Sequence, residues 1–191
     1  MPFPDPNRRY TPAEYFAIEA VAEEKSNYLD GRIFRTMTAT GNEERRDHIC
    51  LNIRDALQTL SGETLYKVSK APRMGEPENA LNSQGAADVA IYRAPSRPLV
   101  VFDVISPNTE AAVRGSKASL HRKRESVQQL VIVGQQLPEI EVYLRRPDEC
   151  WSVQYMVGLN ETLEMPFIGM SLPFKEIYKR VQFPVEPYIY T

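Results

Sequence analysis

Cysteine is nearly absent from this chain of 191 residues: Cys50 and Cys150 are the only two, and neither has a second sulfur or a histidine at metal-ligand spacing. That excludes a disulfide framework and a structural zinc site, and it suits a reducing compartment. Long apolar runs are lacking as well. The richest stretches, LVVFDVI (99–105) and LVIV (130–133), fall far short of the roughly 18–20 residues of a membrane-spanning helix. MPFPDPNRRY at the start has no apolar signal core. The expectation is a soluble, cytoplasmic protein without membrane contact. Neither charge sign dominates: Lys and Arg total 23 against 25 for Asp and Glu, a formal net charge of -2. This excludes the strongly basic footprint of a general nucleic-acid binder, so any such role needs a local patch. Glycine is scarce, 9 against 15 prolines, which points to loops with stiff ends. There is no internal repeat and no linker long enough to divide the chain.

What is present reads as a globular domain. Apolar residues make up 42% and charged residues 25%, enough to bury a core, and at about 150 residues per domain a single domain over 1–191 is expected, its core spanning about 10–180. Thr11-Pro12-Ala13-Glu14 has the form of a capping box and starts a helix over 12–24, with Tyr15, Ile18 and Ala22 in its apolar stripe. Asp30-Gly31 suits a two-residue hairpin turn within 27–38. Ile49, Ile53, Ala56, Leu57 and Leu60 recur at helical spacing over 43–60, and Ser61-Gly62 ends that helix. A strand over 64–69 leads into a Pro-, Gly-, Asn- and Ser-rich loop over 70–85.

Two strands follow, 87–93 and 99–105, the second apolar enough to be buried on both faces. Ser106-Pro107-Asn108-Thr109 suits an N-cap for a helix reaching about 125, and the strand LVIV comes next. Strand, helix and strand in that order imply a parallel crossover, so the fold class is α/β, a mixed sheet flanked by helices. An antiparallel hairpin, 139–145 with 151–157, extends it. Ser171-Leu172-Pro173-Phe174 caps a short helix through Tyr178, and 182–191 is a proline-spaced, tyrosine-rich tail.

Asp103 is the sharpest anomaly, because a carboxylate inside LVVFDVI is costly to desolvate unless a cation or a donor meets it. Asp88, in AADVAIY, poses the same question in the neighbouring strand. If the strands pair, both carboxylates converge near one end of the sheet, and Mg²⁺ needs only one or two such ligands plus substrate phosphate. Period two puts Leu99, Val101, Asp103 and Ile105 on one face. On the following helix Lys117, His121 and Arg124 form a basic strip beside Leu120. Metal-assisted phosphodiester hydrolysis needs carboxylates for Mg²⁺, a water activated by the metal, and a cation to orient that water or stabilise phosphorane charge. Asp88, Asp103 and Lys117 suit those roles, and an Asp–Lys bridge with a solvated basic strip is the plain structural alternative.

In order and spacing, YTPAEYFAIE, NYLDGRIF, His48 opening the second helix, AADVAIY, VVFDVISPNTE, RGSK and SLPFKEIY resemble the Uma2 group of restriction-endonuclease-like proteins, over about residues 10–180. The resemblance implies the PD-(D/E)XK nuclease fold, with Asp88 at the acidic position of the PD element, Asp103 at the (D/E) position, and Lys117 as a lysine relocated to the helix. It also implies the Val104 backbone carbonyl as a further metal ligand. Three positions depart from the family pattern: Asn27 replaces a glutamate, Ala87 the PD proline, and Asp103 a glutamate. Glu24, one helical turn before Asn27, is the candidate substitute, and Glu24, Asn27 and His48 form the supporting set.

The first functional expectation is therefore a Mg²⁺- or Mn²⁺-dependent DNA endonuclease acting as a homodimer, with Arg114, His121, Arg122, Lys123 and Arg124 contacting DNA. The second is a noncatalytic relative of that fold, a DNA-binding or protein-interaction module keeping Asp88 and Asp103 as ion-pair partners. The third is an unrelated α/β binding protein with an internal Lys117–Asp103 salt bridge.

Overall fold

The computed structural model describes residues 5, 8–19, 21, 26–29, 31–35, 42–61, 66–70, 87–94, 97–106 and 109–183. They belong to two compact units, one formed by residues 1–38 with 73–86 and the other by 39–72 with 87–191.

In the first unit, α1 (Pro12–Glu19) opens on the expected capping box: Glu14 N donates to Thr11 Oγ1 at 3.2 Å and Thr11 N donates to Glu14 Oε2 at 2.7 Å. The described helix stops at Glu19, with Val21 already in a turn, so the expected run to 24 is too long. The strands β1 (Ser26–Leu29) and β2 (Arg32–Arg35) pair antiparallel with Leu29 opposite Arg32, which leaves a two-residue loop. Gly31 supplies its positive φ of 81° at no steric cost. Tyr10, Tyr15 and Ile33 form this unit's small core.

The second unit holds α2 (Asn42–Ser61), β3 (Lys67–Lys70), β4 (Val89–Ala94) and β5 (Arg97–Ile105). A helical segment follows, made of α3 (Glu110–Ala112), a π-helical turn (Val113–Lys117) and α4 (Ala118–Lys123). Then come β6 (Gln129–Gly134), β7 (Glu139–Arg145), β8 (Trp151–Val157), β9 (Thr162–Met165), β10 (Met170–Pro173) and α5 (Phe174–Ile177). Among the described residues, β3 to β8 form a six-stranded sheet in sequence order, and β9 and β10 a separate antiparallel pair. β5 and β6 run parallel and every other neighbouring pair in the large sheet is antiparallel, so the strand–helix–strand crossover is present. The β9–β10 pair corrects the expected cap at Ser171: the chain enters α5 from strand, with Pro173 at the N-cap and no side-chain cap.

The sheet is covered on both faces. Ile49, Ile53 and Leu57 of α2 pack with Val89, Ile91, Val100, Phe102, Val104, Val131 and Val133. Val113 and Ala118 pack with Ala90, Val101, Ile105, Leu130 and Ile132 on the other side. This double cover is why LVVFDVI is apolar at almost every position. Leu99 is the exception to strict alternation. Val100 lies opposite Ile91 but Pro98 opposite Tyr92, so Leu99 is an extra residue that turns away from the Asp103 face and joins the α2 cluster.

Two side chains pin the connections. Arg145 donates through Nη2 to Arg122 O and Arg124 O, both at 2.9 Å, and through Nε to Val127 O at 3.0 Å, while its guanidinium lies 4.7 Å over the Trp151 ring. It satisfies carbonyls that the end of α4 leaves without helical partners. At the other end of the segment, Thr109 does not cap α3 with its side chain. Its Oγ1 instead accepts from Ser106 N at 3.0 Å. No helix among the described residues is long and apolar enough to cross a membrane.

The buried Tyr178 hydroxyl donates to Gly134 O at 3.0 Å and Glu139 O at 2.9 Å, tying the chain after α5 to the β6–β7 connection. Burial, reinforced by Glu139, pushes its pKa well above the ordinary tyrosine value. A raised folded-state value stabilises the fold below the unfolded pKa and loses that contribution as pH rises. Tyr178→Phe is expected to cost about 1–3 kcal/mol near neutral pH and to blunt the loss of stability in strong alkali, both read from urea unfolding across pH.

Candidate active site

Asp88 is the residue immediately before β4. Its backbone N donates to Phe102 O at 2.9 Å and lies 3.4 Å from Asp103 Oδ1, so pairing places the two carboxylates side by side at one end of the strand pair. Asp103 is fully buried and Asp88 nearly so. Asp88 Oδ2 accepts from Val104 N at 2.8 Å. A residue's N–H and C=O point to the same edge of a strand, so the Val104 carbonyl is directed to the edge that Asp88 occupies.

The basic side chains arrive from both helical layers. Lys117, on the π-helical turn, puts Nζ 2.5 Å from Asp103 Oδ1 and 3.8 Å from Asp88 Oδ1. His121, one turn later in α4, brings Nε2 to 3.1 Å from Asp103 Oδ2 with no exposed surface. Arg46, near the start of α2, pairs through Nη2 with Asp88 Oδ1. Burial alone would raise the Asp103 pKa, but Lys117 and His121 outweigh it and hold the carboxyl well below the usual aspartate range. The same contact works in reverse on Lys117: burial opposes its charge, Asp103 and Asp88 outweigh burial, and its pKa is raised. Lys117 is a permanent ammonium at neutral pH.

Two carboxylates and a neighbouring backbone carbonyl make the hard-oxygen set that Mg²⁺ or Mn²⁺ accepts while keeping most of its waters, so these residues fit such an ion. Among the described residues no group of three or more His, Cys, Asp or Glu side chains gathers to hold a metal. Among the described residues the backbone is the further source of oxygen beside the two acids, and the Val104 carbonyl lies on the edge that Asp88 occupies.

Of the remaining expected residues, Glu24 lies outside the described residues. Asn27 is described only as β1 backbone, opposite Phe34, and its side chain lies outside the description. Among the described residues no hydrogen bond or ion pair links half-buried His48 to the acid pair. Arg46, two positions earlier on α2, makes that link instead.

The basic segment divides by burial. His121 is a correction: an imidazole with no exposed surface does not contact DNA, and it faces Asp103. Arg114 is a brace, its Nε 2.8 Å from Glu110 Oε1 and its Nη1 paired with the buried Glu141. Arg122 lies 5.3 Å over the Tyr143 ring and Arg124 is half-buried, in the field of Tyr92 and Asp103. Lys123 is exposed.

Sequence reasoning missed Arg46 and Glu141. Nothing local marks Arg46, whose partner is far along the chain. Glu141 carried a weak signal, because EIEVYLR alternates in a way that puts Glu141, Tyr143 and Arg145 on one face. That face reads as solvated, but the helical segment covers it, and Tyr143 OH donates to Glu141 Oε2 at 2.8 Å.

Comparison with known proteins bears on the fold and the family. Two uncharacterized proteins of Synechocystis sp. are similar over nearly their whole lengths: one is 28% identical over 95% of this chain and 96% of its own. The other is 22% identical over 83% of this chain and 93% of its own. A crystal structure from Anabaena variabilis, described as a putative nuclease belonging to DUF820, shares the fold with a TM-score of 0.63 at 12% identity, covering 90% of this chain and 99% of that one. Residues 12–175 match the family model described as "Putative restriction endonuclease", and the chain accordingly belongs to the Uma2 family.

Proposed function

We propose that this protein is a Mg²⁺- or Mn²⁺-dependent endonuclease that hydrolyses phosphodiester bonds in DNA. The observation that carries the reading is the convergence of Asp88, Asp103 and Lys117 at one sheet end, with the Val104 carbonyl on the same edge. When bound there, a divalent ion supplies Lewis-acid activation of water and offsets charge on the phosphate. The chain's own part is to hold and to polarise. Asp88 and Asp103 fix the ion's position, and Val104 N fixes the Asp88 rotamer. Lys117, held as an ammonium by Asp103, is a charge stabiliser rather than a general base. Exposed Lys123, with Arg122 beside it, is the part of the basic segment available to phosphates. Cutting both strands of a duplex is met most simply by two symmetric copies.

A second reading keeps the fold without the chemistry, as a DNA-binding or protein-interaction module. It is favoured by the protein cations already paired with each acid.

Plasmid incubated with Mg²⁺ or Mn²⁺ separates the two. Cleavage is expected in the native protein and a loss of about a hundredfold or more in Asp88→Ala, Asp103→Asn and Lys117→Met. Equal cutting by all four proteins would sink the site assignment, and no cutting by the native protein would favour the module. Duplex binding, if it runs through phosphates, should weaken steadily as salt rises in a fluorescence-anisotropy titration. Salt-independent binding would remove Lys123 and Arg122 from the interface.

Under either reading Asp103 stabilises the fold through a depressed pKa, so its contribution is present above the ordinary aspartate value and disappears as pH falls below it. Asp103→Asn takes from Lys117 the nearer of its two carboxylate partners and is expected to cost about 3–5 kcal/mol at neutral pH. Its unfolding free energy should also vary less with pH in the acid range, as read by circular dichroism.

A further inference from the structure

The acid pair is met from every side before any ion arrives. Asp103 faces Lys117 on Oδ1 and His121 on Oδ2. Asp88 gives Oδ2 to Val104 N and Oδ1 to Arg46, with Lys117 beyond at 3.8 Å. Two carboxylates thus face two cations, Lys117 and Arg46, and these four charges balance. A divalent ion entering between the acids would leave a marked positive excess unless one cation withdrew.

Exposure decides which one can. The His121 side chain has no exposed surface and the Lys117 side chain is 17% exposed, whereas that of Arg46 is 37% exposed. Lys117 also touches both acids from a turn packed on the sheet. Arg46 holds Asp88 by one oxygen only, on a long side chain that reaches solvent at the start of α2. That oxygen is the one Val104 N leaves open. We propose that Arg46 is the counter-ion that a divalent cation displaces from Asp88, so that Arg46 sets the metal affinity of the site by competing for Asp88 Oδ1.

This rests on the metal-binding reading above, and the test separates the two. Mn²⁺ and Mg²⁺ are titrated calorimetrically into the full chain as native protein, Arg46→Gln, Arg46→Lys and Asp88→Asn. Competition predicts that Arg46→Gln binds the ion about tenfold tighter than native. Arg46→Lys, which keeps the charge, should stay close to native, and Asp88→Asn should lose binding. Equal or weaker binding by Arg46→Gln, with binding still lost in Asp88→Asn, overturns the role of Arg46 while the metal site stands. Absence of binding in every protein overturns both. If Arg46→Gln does not fold, the native chain still decides by NMR. On Mg²⁺ saturation the Arg46 Nε–H resonance should shift and its solvent exchange should quicken, and an unchanged resonance in a chain that binds the ion overturns the proposal.

Discussion

A carboxylate with no exposed surface in the middle of a sheet must be met by charge, and the arrangement around Asp103 follows from that requirement. β5 and β6 run parallel with Asp103 opposite Ile132, so β6 offers a hydrocarbon, and the β4 side offers only the uncharged Asp88 N at 3.4 Å. The compensation has to come from the layer above, which is the helical segment 110–123, and it comes twice, from Lys117 and His121. Removing a charge from water costs several kcal/mol even after relaxation. The segment therefore cannot shift along the sheet without leaving Asp103 uncompensated. Asp103 thus fixes the register of helix on sheet more tightly than apolar contacts alone could.

The same row of the sheet continues past Ile132 to Glu141 of β7. Here a second buried carboxylate is met by the same segment, through Arg114. Arg114, Lys117 and His121 are spaced three and four apart, so each stands about one turn from the next, and together they bridge a row three strands wide. The π-helical turn Val113–Lys117 lies where this happens, and Ala118 N donates to both Gly115 O and Val113 O at its end. A π turn widens the helix locally and re-aims the side chains it carries. Gly115 is exposed, and a Cβ there would meet nothing within 4 Å, so close packing does not require glycine there. The ion pairs at Asp103 and Glu141 are the contacts that act on the turn. Arg145, bonded to two carbonyls at the end of α4 and to Val127 O in the connection to β6, anchors the segment at its far end.

The strands flanking the site were legible because two-sided burial leaves a mark in composition, and LVVFDVI with LVIV shows it at nearly every position. Asp103 stood out for the same reason, as the one charged residue in a run where none belongs. The capping box at Thr11 and the turn at Gly31 were legible because each is decided by a few adjacent residues. What sequence could not show depends on layers coming together. Leu99 changes face through a slip in the pairing of β4 with β5, which no alternation rule contains. His121 and the cations of 114–124 share a basic strip that reads as solvated, and only the acids beneath distinguish an inward side chain from an outward one. Arg46 belongs to a helix whose apolar stripe packs on the opposite face of the sheet. It reaches Asp88 only because Asp88 precedes β4, at the end of the sheet.

These cations differ in how firmly they are held, and that difference connects stability with chemistry. Charges that allow an acid to be buried also occupy the lone pairs that a metal needs, so a site stabilised wholly by fixed cations would be a poor ligand for one. Here the innermost acid, Asp103, has the buried partners, and the outer acid, Asp88, has the more exposed one. Lys117 spans both and keeps its charge, as a group must if it is to act on a phosphate whatever else the site contains. Depth in the fold thus sorts the ion pairs. Those of the innermost acid are sealed by the helical segment, while the Asp88–Arg46 pair lies where the sheet ends and solvent begins.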